Sequence, residues 1–358
     1  MSTETLDPVD GLAKLWAGYS RGVYGPDYPL YQMLSAAVSG DRRILEMIAG
    51  CPPEAHDPNL FMAAVQYLVM EGAPHRLGRY YRGEPVSPEE ASAALADFTD
   101  AYADRIRALL STRHVQTNET GRCGGLAVGL VQAAELIGSP IALIDDGASA
   151  GLNLCLDEYL IDFGPAGRTG PSDSPVLIRS EWRGAGRPDL DVPVIAHRLG
   201  IDRVPVDTRD SDTARWMLAC IWPGNDRQDR ARAAMEIAAR RPAVVRRGDM
   251  VEDLAPALQE CRAWPTVVVT SWSFSYLSIE ARARFRAVLQ DEGRTRPVAW
   301  VCLDILGVDD IFEPPAPPAD IARPMPSILG LAVFDRAGVE ARTLGFIHSH
   351  GTWIHWLG

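Results

Sequence analysis

The residues of this chain best equipped for chemistry stand together at Asp145-Asp146-Gly147-Ala148-Ser149-Ala150-Gly151-Leu152-Asn153. Four apolar residues before them, Ile141 to Ile144, read as a buried strand, and an apolar run that can open a helix follows. Carboxylates at a strand end accept hydrogen bonds from hydroxyls or from a cationic group. Small residues at every second position, Gly147, Ser149 and Gly151, let backbone N–H groups approach a ligand where a helix begins. That combination points to a cofactor turn. The same letters spell Gly-x-Ser-x-Gly, the nucleophile turn of serine hydrolases, with Ser149 as the attacking group. Asp304 with His348 or His350 supplies an acid and a histidine downstream, an order that common residues reach easily by chance. Against this reading stands the chain before Ile141, which reads as helices where a hydrolase sheet needs strands. The charge of Asp145-Asp146 would also oppose an attacking alkoxide. The order of elements favours the cofactor turn.

Three further groups carry polar chemistry. Gln116-Thr-Asn-Glu119 with Arg122 opens an otherwise apolar helix that leads into the Ile141 strand. Glu119 is the candidate general base or ammonium ligand, and Asn118 and Arg122 are candidate substrate contacts. The plain alternative is helix capping by Thr117 or Asn118, completed by Glu119. His348 and His350 share one face of an extended segment, which makes His350 a candidate general base. Two histidines alone do not make a metal site, and none is expected. Ser271-Trp-Ser-Phe-Ser-Tyr276 follows a strand and mixes rings with hydroxyls, so Trp272 and Tyr276 are candidate substrate contacts. Burial of Trp272 and Phe274 as core is nearly as good an account.

The elements that must position these groups change character along the chain. Apolar residues at helical spacing mark Leu12 to Ser20, Tyr28 to Val38, Arg42 to Ala49, Leu60 to Met70 and Pro88 to Leu110. Ser87-Pro88-Glu89-Glu90 is a helix start signal. Trp16, Tyr19, Tyr24, Tyr28 and Tyr31 either cover a site or form this region's own core. A further helix spans Thr117 to Ile137. From Ile141 onward, strands at 192–201, 243–247, 266–270 and 297–305 alternate with helices at 211–221, 227–240, about 250–261 and 278–290. A proline-rich loop at 313–326 precedes a hairpin of 328–334 and 339–347. This pattern predicts an α/β fold with a doubly wound, mostly parallel sheet and a C-terminal antiparallel hairpin. Residues 1–113 are expected to form a helical cap region, and 114–358 the α/β domain.

Composition narrows the partners. Of 358 residues, 47% are apolar, and the net charge of −12 argues against nucleic acid and anionic membranes. No apolar run reaches the length of a membrane span. The acidic start, Met1 to Asp7, is unlike a signal peptide. Six scattered cysteines without a Cys-x-x-Cys pair read as reduced core residues, and the expected location is cytoplasmic. Lys14 is the only lysine, which removes the P-loop lysine, a core Schiff base and the Tyr-x-x-x-Lys pair. A small-molecule substrate remains, with no oligomeric state implied.

Taken together, residues from about Val115 to the C-terminus resemble the class I S-adenosylmethionine-dependent methyltransferase fold. Asp145-x-Gly147-x-Ser149-x-Gly151 looks like that family's first motif, with serine at the middle glycine, and the resemblance implies that this turn wraps the methionine part of the cofactor. Gly200-Ile-Asp202 resembles the second strand's end, where an acid holds the ribose hydroxyls. Arg247-Gly-Asp249-Met250 resembles the third strand's end, whose carboxylate accepts the adenine amino group. Val267 to Tyr276 is similar to the fourth strand and the loop facing the methyl group. Asn153, Met250 and Ser271 are implied cofactor contacts on the same basis. An insertion at about 156–191, with strands expected at 158–163 and 176–181, departs from the pattern and makes Glu181 a rival to Asp202. More closely, the chain resembles an uncharacterised bacterial family with Gln116-Thr-Asn-Glu119…Arg122, the Gly-Ala-Ser-Ala-Gly-Leu-Asn turn, Trp222-Pro223 and a terminal His350-Gly-x-Trp353. The implied activity is methyl transfer from S-adenosylmethionine to a hydroxyl or amine of a small metabolite. A non-catalytic nucleoside-binding protein of the same fold is the alternative.

Overall fold

Short polar side chains set where the N-terminal helices begin. Asp7, Asp41 and Asp57 each accept an N–H from the first turn of Pro8–Gly18, Arg42–Ala49 and Pro58–Met70. Ser87 forms a reciprocal capping box with Glu90, at 3.2 and 3.0 Å, and starts Pro88–Ala101 where the sequence predicts it. The long helix expected over 88–110 breaks at Tyr102 and resumes as Ala103–Thr112. These observations come from a computed structural model that describes residues 7–26, 28–186, 189–241, 243–321 and 326–358. The acidic segment of residues 1–6 and residues 322–325 of the proline-rich loop lie outside the described residues.

The chain divides into two compact units. The first takes in the chain up to Thr117 together with Arg209–Gln228, and the second comprises Asn118–Thr208 and Asp229–Gly358. The first unit is helical. Trp16, Tyr24, Tyr31, Leu34, Phe61 and Phe98 are all but fully buried in its core, joined by Trp216, Ala219 and Cys220 from the second stretch. The aromatic residues at positions 16, 24 and 31 therefore pack the interior of this unit. Deep in it, Gln66 donates to the carbonyls of Leu218, Ala219 and Ile221 at 3.4, 3.0 and 2.7 Å and accepts from Tyr31 Oη at 3.2 Å.

The second unit is built on a mixed sheet. In chain order the strands are β1 (Ile141–Asp146), β2 (Leu160–Asp162), β3 (Arg168–Thr169), β4 (Leu177–Arg179), β5 (Glu181–Gly184), β6 (Ile195–Asp202), β7 (Val244–Arg247), β8 (Thr266–Ser271), β9 (Val298–Ile305), β10 (Ser327–Asp335), β11 (Gly338–Ile347) and β12 (Trp353–Trp356). Among the described residues, nine of them form one sheet in the order β5-β12-β11-β10-β9-β8-β1-β6-β7. The run β7-β6-β1-β8-β9 is parallel throughout and has the doubly wound order 3-2-1-4-5. The hairpin β10–β11 adds antiparallel strands beyond β9. The insertion supplies β2, β3 and β4 as a separate small sheet and β5 as an edge strand beside β12. Glu181 thus sits on β5 with five strands between it and β1, so it is no rival to Asp202. The Cys123–Ile137 helix is buried from Cys123 through Ala133, as expected for a helix lying against the sheet. Among the described residues, no helix is long and apolar enough to cross a membrane.

Candidate functional site

In a doubly wound sheet the ligand crevice lies outside the carboxyl ends of the strands, where strand order reverses. Here that point falls between β1 and β8. Parallel register brings Asp145 and Asp146 at the end of β1 beside Gly200 and Ile201 of β6, while Asp202 pairs with Arg247 of β7. Ser271 and Trp272 end and follow β8. The residues read from sequence as a cofactor turn, a second-strand acid, a third-strand acid and a fourth-strand loop therefore share one end of the sheet.

The turn itself differs from the expectation. Five of its amides, those of Gly147, Ala148, Ser149, Gly151 and Leu152, already have acceptors within the protein. Gly147 and Ala148 donate to the Ile201 carbonyl at 2.9 and 3.0 Å, and Gly151 donates to the Ala148 carbonyl at 2.7 Å. Ser149 N–H donates to Asp202 Oδ2 at 2.7 Å, and Leu152 N–H to Asn118 Oδ1 at 2.9 Å. The expected helix after Gly151 is a 3₁₀ segment, Leu152–Glu158, interrupted at Cys155. Asn118 and the Tyr159 hydroxyl, bonded to the Leu152 carbonyl at 2.7 Å, hold its first residue in that geometry. A seven-residue 3₁₀ turn with its first amide occupied offers no anion cradle.

What the turn leaves unpaired are acceptors. Asp145 and Asp146 are fully buried, and Ser149 is 4% exposed. Asp145 Oδ2 accepts from Asn153 Nδ2 at 3.2 Å, while Asp145 Oδ1, both Asp146 oxygens and Ser149 Oγ have no hydrogen-bond partner among the described residues. Burial pushes the Asp145 carboxyl up to about 7, against the Asn153 hydrogen bond. Burial, then the charges of Asp145, Asp249, Asp202 and Asp253, push Asp146 well above the usual carboxylate range. Two strained residues mark the same place. Among the described residues, only Ser149 (φ 52°) and Trp272 (φ 56°) are non-glycine residues with positive φ. Gly147 (φ 91°) is required for a second reason, since a Cβ there would lie 2.3 Å from Ser273 Cβ. Ser273 Oγ in turn donates to the Asp146 carbonyl at 2.7 Å.

The two outer acids are engaged. Asp202 Oδ1 accepts from Val204 N–H at 2.8 Å, and its other oxygen holds Ser149 N–H. Asp249 Oδ1 accepts from the amides of Val251 and Glu252, and Oδ2 takes Arg203 Nη2 at 2.8 Å and Nε at 3.2 Å. The Val251 N–H and Arg203 together hold Asp249 below the usual range. Each carboxylate retains lone pairs for a further donor. Met250 is buried in the apolar core of this unit.

The polar cluster of Asn118, Glu119 and Arg122 joins the sheet end from the other side. Arg122 Nε donates to the Ser349 carbonyl at 2.8 Å and Nη1 to the Ser271 carbonyl at 3.4 Å, and its guanidinium stacks 5.2 Å from the Trp272 ring. Trp272 Nε1 donates to Ser327 Oγ at 3.1 Å. Glu119 Oε1 accepts from Gly121 N–H at 2.8 Å and pairs with Arg230 Nη2 at 3.2 Å, both side chains being buried. Glu119 is thus itself the cap of the Thr120–Arg122 turn, where the sequence puts Thr117 or Asn118 in that place, and Asn118 instead supports the glycine turn. Gly351 (φ 74°) of His350-Gly-x-Trp353 packs directly on Gly121, where a Cβ would sit 2.0 Å from the Gly121 oxygen. The His348 and His350 rings lie 5.4 Å apart. Among the described residues, no three His, Cys, Asp or Glu side chains converge to hold a metal ion. Tyr276 is 84% exposed.

A protein-family pattern matches residues 25–356. The chain belongs to the family described as uncharacterised proteins conserved in bacteria, DUF2332. No curated protein and no solved structure matches it. Of the segments that carry the resemblance to this family, Asn118–Arg122, the 147–153 turn and 350–353 meet in the second unit, whereas Gln116, Thr117 and Trp222-Pro223 belong to the first.

The sequence alone singles out neither Asp253 nor Arg230, and gives Ser273 no role beyond its place in the Ser271–Tyr276 loop. Asp253 faces Asp146 and accepts Asp249 N–H at 2.7 Å, and its spacing four residues after Asp249 was a readable signal. Arg230 had none, since 111 residues separate it from Glu119.

Proposed function

We propose that this DUF2332 protein is an S-adenosylmethionine-dependent methyltransferase acting on a hydroxyl or amine of a small molecule. The observation that carries this reading is the set of buried, unpaired acceptors, Asp145 Oδ1, both Asp146 oxygens and Ser149 Oγ, at the switch point of a 3-2-1-4-5 sheet. Native proteins pair their buried polar atoms, so unpaired carboxylate oxygens mark where a donor-rich or cationic ligand completes the structure. S-adenosylmethionine fits that requirement, with an ammonium, a sulfonium and two ribose hydroxyls. An anionic phosphate fits poorly, because two buried acids stand at the turn and five of its amides already have acceptors.

In this reading Asp145, Asp146 and Ser149 face the methionine part, Asp202 the ribose and Asp249 the adenine. When bound, the cofactor supplies a methyl group already activated by the sulfonium. The chain's own residues bind, orient and exclude water. Arg122 fixes the Ser271-Trp272 loop against the His350 turn and so shapes the acceptor side. Glu119 is committed to Arg230 and to Gly121, which leaves His350 as the group to take a proton from a hydroxyl acceptor.

Titration of the purified chain with S-adenosylmethionine tests the reading. Micromolar binding, followed by transfer of a labelled methyl group to a member of a small hydroxyl and amine panel, is the expected result. Binding without transfer to any acceptor supports instead a nucleoside-binding protein without chemistry. No binding by folded protein overturns the cofactor assignment. The positive φ of Ser149 also suits a hydrolase nucleophile, but its Oγ contacts no base, and both Asp304 oxygens hold backbone amides, of Ser275 and Ile305. Reaction of Ser149 with an organophosphonate would revive that reading.

A further inference from the structure

Two adjacent carboxyl groups at the end of β1 are fully buried, and three of their four oxygens contact no donor among the described residues. Their surroundings add further acids. Asp202 faces them from β6, and Asp249 and Asp253 from the segment after β7. The Cys123 thiol faces Asp145 from the Cys123–Ile137 helix. The β8 end contributes only Ser271, Trp272 and Ser273, which do not titrate as acids. Arg203 already holds Asp249. The unpaired hydroxyl of Ser149, on the same turn, is a separate buried acceptor.

Two such carboxylates cannot both be ionised without a compensating charge, because burial and mutual repulsion disfavour the charged forms. We propose that the Asp145–Asp146 pair holds protons in the ligand-free protein and releases them to solvent when an organic cation binds. The inference rests on the cofactor reading only for the identity of that cation. Each released proton comes from an O–H of the pair, and the carboxylate so formed is neutralised by the ligand's positive charge. The site therefore discriminates by charge. A cationic ligand is held through the exchange, whereas a neutral nucleoside gains nothing from it. Binding is linked to pH through the Asp145 carboxyl, which burial pushes up to about 7.

Calorimetric titration of the full chain with S-adenosylmethionine at pH 6, 7 and 8, in pairs of buffers with different ionisation enthalpies, counts the protons. The expected result is release of about one proton per ligand at pH 6, declining by pH 8, with affinity rising up to about tenfold from pH 6 to pH 7. Binding with no proton release and a flat pH profile overturns the exchange and leaves the cofactor reading standing. If S-adenosylmethionine fails to bind at every pH, the cofactor reading falls. Arginine, choline and spermidine are then titrated against neutral adenosine. A cation bound with proton release sustains the proposal, and binding of adenosine alone, or of no probe, overturns it. Asp145→Asn should reduce the proton count. Should that variant not fold, the ligand-free wild type decides: stability falling from pH 5 to pH 8 is expected, and a flat profile contradicts protons held by the pair.

Discussion

Gln66 and Asp146 are both buried polar side chains, one in each unit, and the chain treats them in opposite ways. Gln66 is 1% exposed, and its amide is saturated by three carbonyls and one hydroxyl. Asp146 is fully buried, and neither of its oxygens has a partner among the described residues. Unpaired groups do occur in the helical unit, but they are neutral, such as Trp16 Nε1 and Thr99 Oγ1. A neutral group left unpaired costs roughly 1–3 kcal/mol, whereas a buried unpaired charge costs far more. The contrast separates a polar group that specifies the fold from polar groups that, under the proposed function, a ligand completes. Gln66 fixes how the Leu218–Ile221 segment joins the helices, whereas the Asp146 carboxyl, unpaired and buried, destabilises its own unit when ionised.

The largest effect is expected where the sheet unit treats a charge as the helical unit treats Gln66. Glu119→Ala removes a buried carboxylate that pairs with Arg230 and accepts the Gly121 N–H, and should lower stability by about 3 kcal/mol in denaturant unfolding. Full stability in that variant would show that Glu119 has no structural part and would return it to the role of base. Gln66→Ala should cost about 3 kcal/mol, equally at pH 5 and pH 8, because three carbonyls lose a neutral donor.

Asp146→Asn should act in the other direction and depend on pH. A carboxyl whose folded value is raised contributes stability that is complete below its unfolded value, about 4, and is lost as pH rises through the folded value. Asp145, at about 7, places the main loss for the wild type between pH 5 and pH 8. The ligand-free Asp146→Asn variant should gain on the order of 2 kcal/mol at pH 8 and little at pH 5. A loss at both values would make Asp146 a structural residue like Gln66 and erase the comparison. The smallest expected effect is that of Ser149→Gly, which relieves a positive φ and should stabilise the protein by roughly 1 kcal/mol while weakening ligand binding. Loss of stability in that variant would mean that the serine's conformation is not strained.

Much of the sheet was legible, because its cues are local. Ile141–Asp146, Thr266–Ser271, Val298–Ile305 and the β10–β11 hairpin each announce themselves by a continuous apolar run or a turn signal. The capping box at Ser87 was equally plain. Features decided by distant partners were not legible. The four-residue strand β12 exists because β11 and β5 flank it, and nothing in Trp353–Trp356 alone demands a strand. Arg209–Gln228 reads as helix, yet its place in the helical unit follows from Trp216 and Cys220 packing among residues far away in sequence. At the site, residue types and their gathering at one sheet end could be read, and their hydrogen bonding could not. The glycine turn looked like a helix start offering amides. Ile201, Asp202 and Asn118, all remote in sequence, take those amides and turn the site from an anion cradle into a cluster of acceptors.

The central claim is that the buried acids at the end of β1 are completed by a cationic cofactor. A crystal of the protein soaked with S-adenosylmethionine tests it most directly. The account predicts difference density at the carboxyl ends of β1 and β8, with a charged group of the ligand within hydrogen-bonding distance of Asp145 or Asp146. Density elsewhere in the molecule, with Asp145 and Asp146 still unpaired, would contradict it.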